Sequence, residues 1–199
     1  DIKKNMILSS TKNRSEWLNI ISKFPAEYQD IYFHPDYVSL NCSKNNSEGF
    51  LFCYQEKKNI WINPFIKIKS PSFLDFNSHN YYDIETAYGY GGPISNKLDN
   101  EFIQASNKEF LLWVNSNNIV SEFVRFHPLF DTTFYTSSEF EILDNRITCS
   151  LDLKKVDEKN IAPFKSKVKN MIRKALKTTE TFISHDKQDF LYFKKLYLN

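Results

Sequence analysis

The chain has 199 residues, 16% of them aromatic and 25% charged, with a formal net charge of +2. That length suffices for one sizeable domain, or for one domain and part of another. A mean hydropathy of −0.49 and the lack of any apolar run near the roughly 20 residues a bilayer requires exclude a membrane-spanning helix.

No basic segment followed by an apolar one opens the sequence, so no secretory leader is expected. Cys42, Cys53 and Cys149 are odd in number and far apart. This is neither a disulfide framework nor a zinc pattern, and it predicts a reducing cytoplasmic setting. The four histidines have no ligand spacing with the cysteines, so no structural metal is expected.

Charge is unevenly spread. Residues 154–199 hold eleven Lys and one Arg against five acids, a surplus of seven positive charges. The first 153 residues carry fourteen basic groups against nineteen acids, a deficit of five. The basic end reads either as a surface for a phosphate-bearing partner or as a solvated, Lys-rich helix face.

Arg14 to Phe24 is predicted as an amphipathic helix capped by Ser15 and stopped by Pro25, with Trp17, Leu18, Ile20, Ile21 and Phe24 on its apolar face. Ile31 to Tyr37 turns into a short helix opened by Pro35, and Asn41 to Gly49 is a polar turn. Phe50 to Tyr54 and Ile60 to Lys69 are strands joined by a hairpin loop over Gln55 to Asn59. Pro64 cannot donate to a ladder, which predicts an edge or bulged strand. Ser70 to Asn80 is a loop, and Tyr81 to Glu85 a short strand.

Asp99 to Asn115 is the next helix, with Phe102, Ala105, Phe110, Trp113 and Val114 as its buried stripe. Ile119 to Phe126 has the strongest strand pattern in the chain, and Asp131 to Glu139 is turn-like. Phe140 to Leu143 and Ile147 to Leu153 are predicted as two more strands around a hairpin at Asp144 to Arg146. Pro163 opens a long helix with Lys165, Lys167, Lys169, Arg173, Lys174 and Lys177 on its polar face. A short strand over Thr181 to Ser184 and a last helix over Phe190 to Leu198, capped by Asp186, follow. The fold class is therefore α+β: a mixed sheet of five to seven strands flanked by helices.

One stretch concentrates unusual chemistry. Three of the four glycines stand within Tyr88-Gly89-Tyr90-Gly91-Gly92. Such clustering implies positive φ or close backbone approach. Interleaved tyrosines, bare backbone N–H groups, and Asp83 and Glu85 just upstream are what a pocket for a polar ligand uses. The same features fit a tight turn whose tyrosines cover a core edge.

The order of these segments resembles the Fem-type (FemAB-like) aminoacyltransferases that build peptidoglycan cross-bridges, within the GNAT acyltransferase superfamily. Ile31 to Tyr37 resembles the family's early turn into a helix. Tyr81 to Pro93 resembles the Gly-Pro loop that closes the acceptor site. Phe123 to Leu129 resembles the strand after the following helix. Ile147 to Leu153 with Lys165 to Lys177 resembles the strand and basic helix at the end of the first domain. The resemblance spans most of residues 31–177. It implies a first, acceptor-binding GNAT-like domain over residues 1–180 and the start of a second over 181–199, with a fold that continues past residue 199.

It also implies amide formation on an amino group of a nucleotide- or lipid-diphosphate-linked glycan precursor of the cell envelope or surface polysaccharide. The activated donor, aminoacyl-tRNA or acyl-CoA, would sit with the second domain, so no cofactor is expected on this segment and tRNA is a partner to consider. Two departures shape the expectation. The Gln/Arg-x-x-Gly-x-Gly/Ala loop that grips CoA phosphates at a helix start has no counterpart here. Gly91 stands where the bridge-building enzymes tend to carry a basic residue, which favours a surface-glycan acceptor other than lipid II. An acyl-CoA-dependent N-acyltransferase of glycan synthesis, and a non-catalytic lobe that holds a sugar nucleotide or RNA, are the alternatives.

On this reading Tyr88, Gly89, Tyr90, Gly91, Gly92 and Arg125 bind the acceptor. Arg173 and Lys174 meet its diphosphate, the Arg through its bidentate fork. Asp83 and His127 are the catalytic candidates for taking the amine proton. Arg125, inside an apolar strand, is expected to pair with Asp83 or Glu85. No covalent nucleophile is expected: Gly-x-Ser-x-Gly does not occur, and no cysteine sits in a reactive context.

Overall fold

The computed structural model describes residues 5–43, 46–70, 80–152, 154 and 164–198. It divides into two compact units, Asp1–Thr148 and Cys149–Asn199. The boundary expected at residue 180 falls inside the second unit.

The first unit is an α+β domain around a six-stranded sheet. In chain order it comprises β1 (Met6–Ser10), α1 (Arg14–Ile21), α2 (Pro35–Leu40), β2 (Ser47–Glu56), β3 (Asn59–Lys69), β4 (Tyr82–Glu85), β5 (Ile94–Ser95), α3 (Asn100–Ser116) and β6 (Ile119–Phe123). Short 3₁₀ turns stand at Ala26–Tyr28, Ile31–Phe33 and Thr133–Tyr135. The strand order is β1-β2-β3-β4-β6, with β5 also on β3. Every pair is antiparallel except β4 with β6. A parallel pair needs a long crossover, and α3 supplies it.

The β2–β3 hairpin is the spine. Its register from Ser47↔Ile68 to Glu56↔Asn59 puts Phe50, Phe52 and Tyr54 on the same face as Phe65, Asn63 and Trp61. There the rings of Phe52, Trp61 and Phe65 meet Phe110 and Trp113 of α3 at centroid distances of 5.1–6.1 Å. Leu51, Cys53, Ile62 and Ile66 point to the other face, and the alternation forces this split. That face lies under α1 and α2. A Cβ built on Gly49 would stand 2.6 Å from Val38 Cγ1, so α2 lies directly on β2 there. Trp17, fully buried, donates its indole N–H to the Phe33 carbonyl at 2.9 Å, fixing α1 against the turn before α2.

Helices start and stop where local chemistry dictates. Asp99 caps α3 by accepting from the Phe102 N–H, as Asp at an N-cap does. α1 is preceded by Asn13 and has no side-chain cap, so the expected Ser15 cap is not made. The buried side of α3 also includes Ile103, Ser106 and Asn107, while Val114 packs half-buried against the core and Ala105 is half-buried. Burial of the two polar residues is offset by bonds from Ser106 Oγ to the Phe102 carbonyl and from Asn107 Nδ2 to the Ile103 and Tyr135 carbonyls.

Pro64 departs from expectation in an informative way. β3 is a central strand, not an edge. Its outer side pairs with β4 at residues 66–69 and with β5 at residues 61–62. The intervening Asn63, Pro64 and Phe65 pair with neither. The missing N–H of Pro64 therefore falls where the ladder is interrupted.

The strands expected at Phe140–Leu143 and Ile147–Leu153 do not form. Residues 141–152 are exposed coil, and residue 153 lies outside the described set. A short apolar run needs to pair to become a strand, and among the described residues neither segment pairs with the sheet. β1 was not anticipated. It pairs with β2 from Met6↔Tyr54 to Ser10↔Phe50. β2 itself begins at Ser47, inside the expected polar turn, of which residues 44–45 lie outside the described set.

In the second unit α4 (Ser166–Ala175) and α5 (Lys187–Leu198) are helical. Asp186 caps α5 by accepting from the Gln188 N–H at 2.7 Å. Thr181–Ser184 is exposed coil, not the expected strand. Pro163, expected to open α4, and most of the Ser70–Asn80 loop lie outside the described residues.

Candidate functional site

β4 and β5 are one strand interrupted by an excursion. Ile66 pairs with Glu85 and Ile62 with Ile94, so the eight residues Thr86–Pro93 stand opposite only Asn63, Pro64 and Phe65. The surplus has to leave the plane of the sheet, and the Tyr-Gly-Tyr-Gly-Gly stretch is what leaves it. Gly89 at φ +100° and Gly92 at φ +93° make the path feasible. Both lie in the region that glycine enters without steric cost.

The excursion is tightly seated. The Thr86 N–H donates to the Phe123 carbonyl (3.1 Å) and the Gly91 N–H to the Arg125 carbonyl (2.8 Å). Gly91 bridges Phe126 in parallel fashion, which prolongs the β4–β6 pairing beyond the strand ends. The Arg125 N–H returns to Thr86 Oγ1 at 3.2 Å. From the helical side, the Tyr37 hydroxyl donates to the Tyr88 carbonyl at 2.8 Å. A Cβ on Gly89 would come within 2.5 Å of the Tyr32 ring.

The result is an aromatic cluster. Tyr32 makes edge-to-face contacts with Tyr37 and Tyr90, both at 5.5 Å, and with His127 at 5.8 Å. These are the preferred geometries for aromatic pairs. Tyr88 projects from the cluster with 75% of its surface exposed. Burial, and then the negative potential of Tyr37, Asp30 and Tyr90, hold the Tyr32 phenol above its usual pKa. It stays a neutral donor at physiological pH.

His127 lies under this cluster, its side chain 2% exposed, stacked on Phe130 at 3.6 Å. Its Nδ1 accepts from the Leu129 N–H at 3.2 Å. In the neutral ring the proton then sits on Nε2, 3.5 Å from Asp30 Oδ2. Burial pushes the imidazole below its ordinary pKa, partly opposed by Asp30. Both nitrogens are thus engaged within the fold. His127 ties the chain just after β6 to the Asp30–Phe33 turn, and among the described residues it makes no contact with Asp83.

Asp83, on β4, accepts from Ser70 Oγ (3.0 Å) and Ser121 Oγ (2.6 Å). Its carboxylate cross-links β4, β6 and the end of β3. Arg125 departs from expectation. It is exposed, its guanidinium lies 5.3 Å from the Phe123 ring, and it makes no ion pair with Asp83 or Glu85 among the described residues. β6 ends at Phe123, short of the expected Phe126, so Arg125 lies beyond the strand and is exposed, and no buried charge has to be matched.

The buried charged residue of β6 is Glu122 instead. Its Oε1 accepts from Asn63 Nδ2 at 2.9 Å, while Oε2 is buried without a partner among the described residues. Burial pushes the carboxyl up to about 7. The signal was present in the sequence as a carboxylate inside the apolar run Ile119 to Phe126; a register shift against β4 leaves Val120 exposed and sets Glu122 opposite the buried Ile84. Tyr32, Tyr37 and Asp30 were also not singled out; two tyrosines flanking a His-Pro helix start were their trace.

In the second unit Arg173 and Lys174 are exposed, and Arg173 reaches Asn170 Oδ1 at 3.4 Å. Successive residues of a helix point about 100° apart, so the two do not form one clamp.

A cavity of about 400 Å³ lies away from the tyrosines, between α3 and residues 134–139. No group of His, Cys, Asp and Glu fit to hold a metal occurs among the described residues, and no described helix is long and apolar enough to cross a membrane. In comparisons with known proteins, no family model, no curated protein and no solved structure matches the chain.

Proposed function

We propose that the first unit is the acceptor-binding lobe of a Fem-type, GNAT-like acyl- or aminoacyltransferase. Its reaction would form an amide on an amino group of a nucleotide- or lipid-diphosphate-linked precursor of the cell envelope or surface polysaccharide. The observation that carries this reading is the Thr86–Pro93 excursion: eight residues set opposite three, rich in tyrosine and glycine and anchored on Tyr32 and Tyr37. A sheet gains nothing in stability from such an insertion. A rigid, tyrosine-faced loop with Tyr88 projecting from it suits stacking on a sugar or base. The order of the earlier segments, Ile31 to Tyr37 and Tyr81 to Pro93, supports the same family, whereas the strand expected before the basic helix is coil; the donor, aminoacyl-tRNA or acyl-CoA, would belong to the second domain.

The placement of Asp83 and His127 favours one narrower alternative. Asp83 is held by two serines, His127 has both nitrogens engaged, and the two are not in contact. General acid–base work needs a group within hydrogen-bond reach of the moving proton. This arrangement fits a lobe that binds and orients the acceptor amine while another part of the enzyme accelerates the reaction.

The test is calorimetric titration of this chain with a panel of uridine-diphosphate-linked amino sugars, repeated with Tyr88→Ala and Tyr90→Ala. Loss of roughly 1–3 kcal/mol of binding per stacked ring is expected. Binding that survives both substitutions, or no binding by any member of the panel, sinks the reading.

A further inference from the structure

The second unit carries a helix built for a surface rather than a core. α4 runs Ser166–Ala175, and no residue in it is buried. At 100° per residue, Met171, Ala175, Val168, Ile172 and Leu176 (the C-cap) fill one continuous arc of about 140°. Lys169 and Arg173 border one margin of that arc, and Lys167 and Lys174 the other. Met171 and Leu176 are 63% and 53% exposed.

The charges only partly serve the helix itself: Arg173 and Lys174 stand in its last turn, where they favour the dipole. α4 has no side-chain cap and no acid in its first turn, while Lys167 and Lys169 stand near its N-terminus, against the helix dipole. Ten uncapped residues are marginal alone in water. Around it, residues 164–198 hold nine Lys and Arg against three acids.

We propose that α4 docks in the plane of an anionic lipid surface, with its aliphatic arc at the headgroup–acyl boundary and the four border cations on lipid phosphates. Long basic side chains on both margins of an apolar arc can extend outward to headgroups while their stems line the apolar phase. Anionic headgroups would also neutralise the cations that oppose the dipole. The arc is aliphatic, with no aromatic ring, so it offers nothing for bases to stack on. On RNA the apolar residues would remain wet.

The experiment is co-sedimentation of this chain with phosphatidylcholine vesicles and with mixed phosphatidylcholine–phosphatidylglycerol vesicles, at low and high salt. Binding should require phosphatidylglycerol and weaken as salt rises. Lys167→Glu with Lys169→Glu should lower vesicle affinity at least about tenfold. Val168→Ser with Met171→Ser should also lower it while leaving the charge unchanged. Circular dichroism should report helix gained on vesicles by the unsubstituted chain and less gain by either pair. The proposal is overturned by absence of vesicle binding, or by binding that ignores the serine pair. RNA binding lost only on charge reversal, in a chain that does not bind vesicles, assigns the face to RNA and overturns it too. So does a vesicle-independent dimer abolished by the serine pair, read by sedimentation velocity.

Discussion

Asn63 Nδ2 donates to Glu122 Oε1 across 2.9 Å, and the other oxygen of that carboxyl is buried with no partner among the described residues. Asn63 is one of the three β3 residues opposite the Thr86–Pro93 excursion. A buried anion with one neutral donor is poorly compensated, and the carboxyl is pushed up to about 7 from 4.5. Between those pH values the folded chain holds a proton that the unfolded chain has lost. Stability attributable to Glu122 therefore falls as pH rises from about 4.5 to about 7 and is flat above. The full difference is on the order of 3 kcal/mol. Glu122→Gln cannot ionise, so its urea midpoint should lose this component of the fall between pH 5 and pH 8. An unchanged pH profile in the variant excludes the assignment.

Gly89 combines conformational strain with crowding, whereas Gly91 meets milder crowding alone. Gly89 has φ +100°, and a Cβ there would meet the Tyr32 ring at 2.5 Å. Gly91 has no positive φ, and its added Cβ would lie 3.0 Å from Thr86 Cγ2. Gly89→Ala should cost about 1–3 kcal/mol, a fall in Tm of several degrees for a chain of this size. Gly91→Ala should cost less. Equal effects in differential scanning calorimetry would contradict the account of the loop.

Tyr37→Phe removes one hydrogen bond, from its hydroxyl to the Tyr88 carbonyl at 2.8 Å, and keeps the edge contact with Tyr32. The loss should be about 0.5–1.5 kcal/mol and local to the excursion. Hydrogen exchange should speed up at the loop amides while those of β2 and β3 stay protected. Faster exchange throughout the sheet would mean that Tyr37 supports the fold at large.

These effects explain what could and could not be foreseen from residue types. The β2–β3 hairpin, α2 and α3 follow from apolar alternation, His-Pro at a helix start and Asp99 at a cap, which are local signals. The excursion was visible only as a glycine cluster. Its meaning depends on β4 and β5 pairing with the same strand, as Ile66 with Glu85 and Ile62 with Ile94, a relation between residues far apart in the chain. Pro64 was misplaced for that reason: one proline signals a missing ladder bond but not which side of which strand loses it. Glu122 lies in β6 and Arg125 just beyond its end, and alternation alone could say neither where the strand stops nor which face α3 would cover. The strands expected after residue 139 had the right residue types, but pairing with a sheet edge is a long-range event that residue types do not encode, and among the described residues neither segment pairs. The site candidates divide likewise. Tyr88 to Gly92 form one seated loop, whereas Asp83 and His127 are not in contact, and Arg173 and Lys174 belong to the second compact unit.

His127 gives the sharpest test of role. Its Nδ1 accepts from the Leu129 N–H and its Nε2 faces Asp30, so the ring should be neutral at pH 7 with its proton on Nε2. Burial lowers its pKa more than Asp30 raises it. The folded chain therefore resists the proton that the unfolded chain accepts near pH 6.5. Stability from this residue is complete above that value and is lost as pH falls below it, down to the folded pKa. Imidazole ¹⁵N shifts should report one tautomer, unchanged from pH 8 to pH 6.5. His127→Gln keeps an N–H donor for Asp30 but loses the acceptor for Leu129 and the ring stacked on Phe130. It should lower stability without abolishing acceptor binding by the tyrosine loop. A mixed-tautomer ring that titrates at its ordinary value would instead mark His127 as free to move protons, and would restore it as the catalytic candidate.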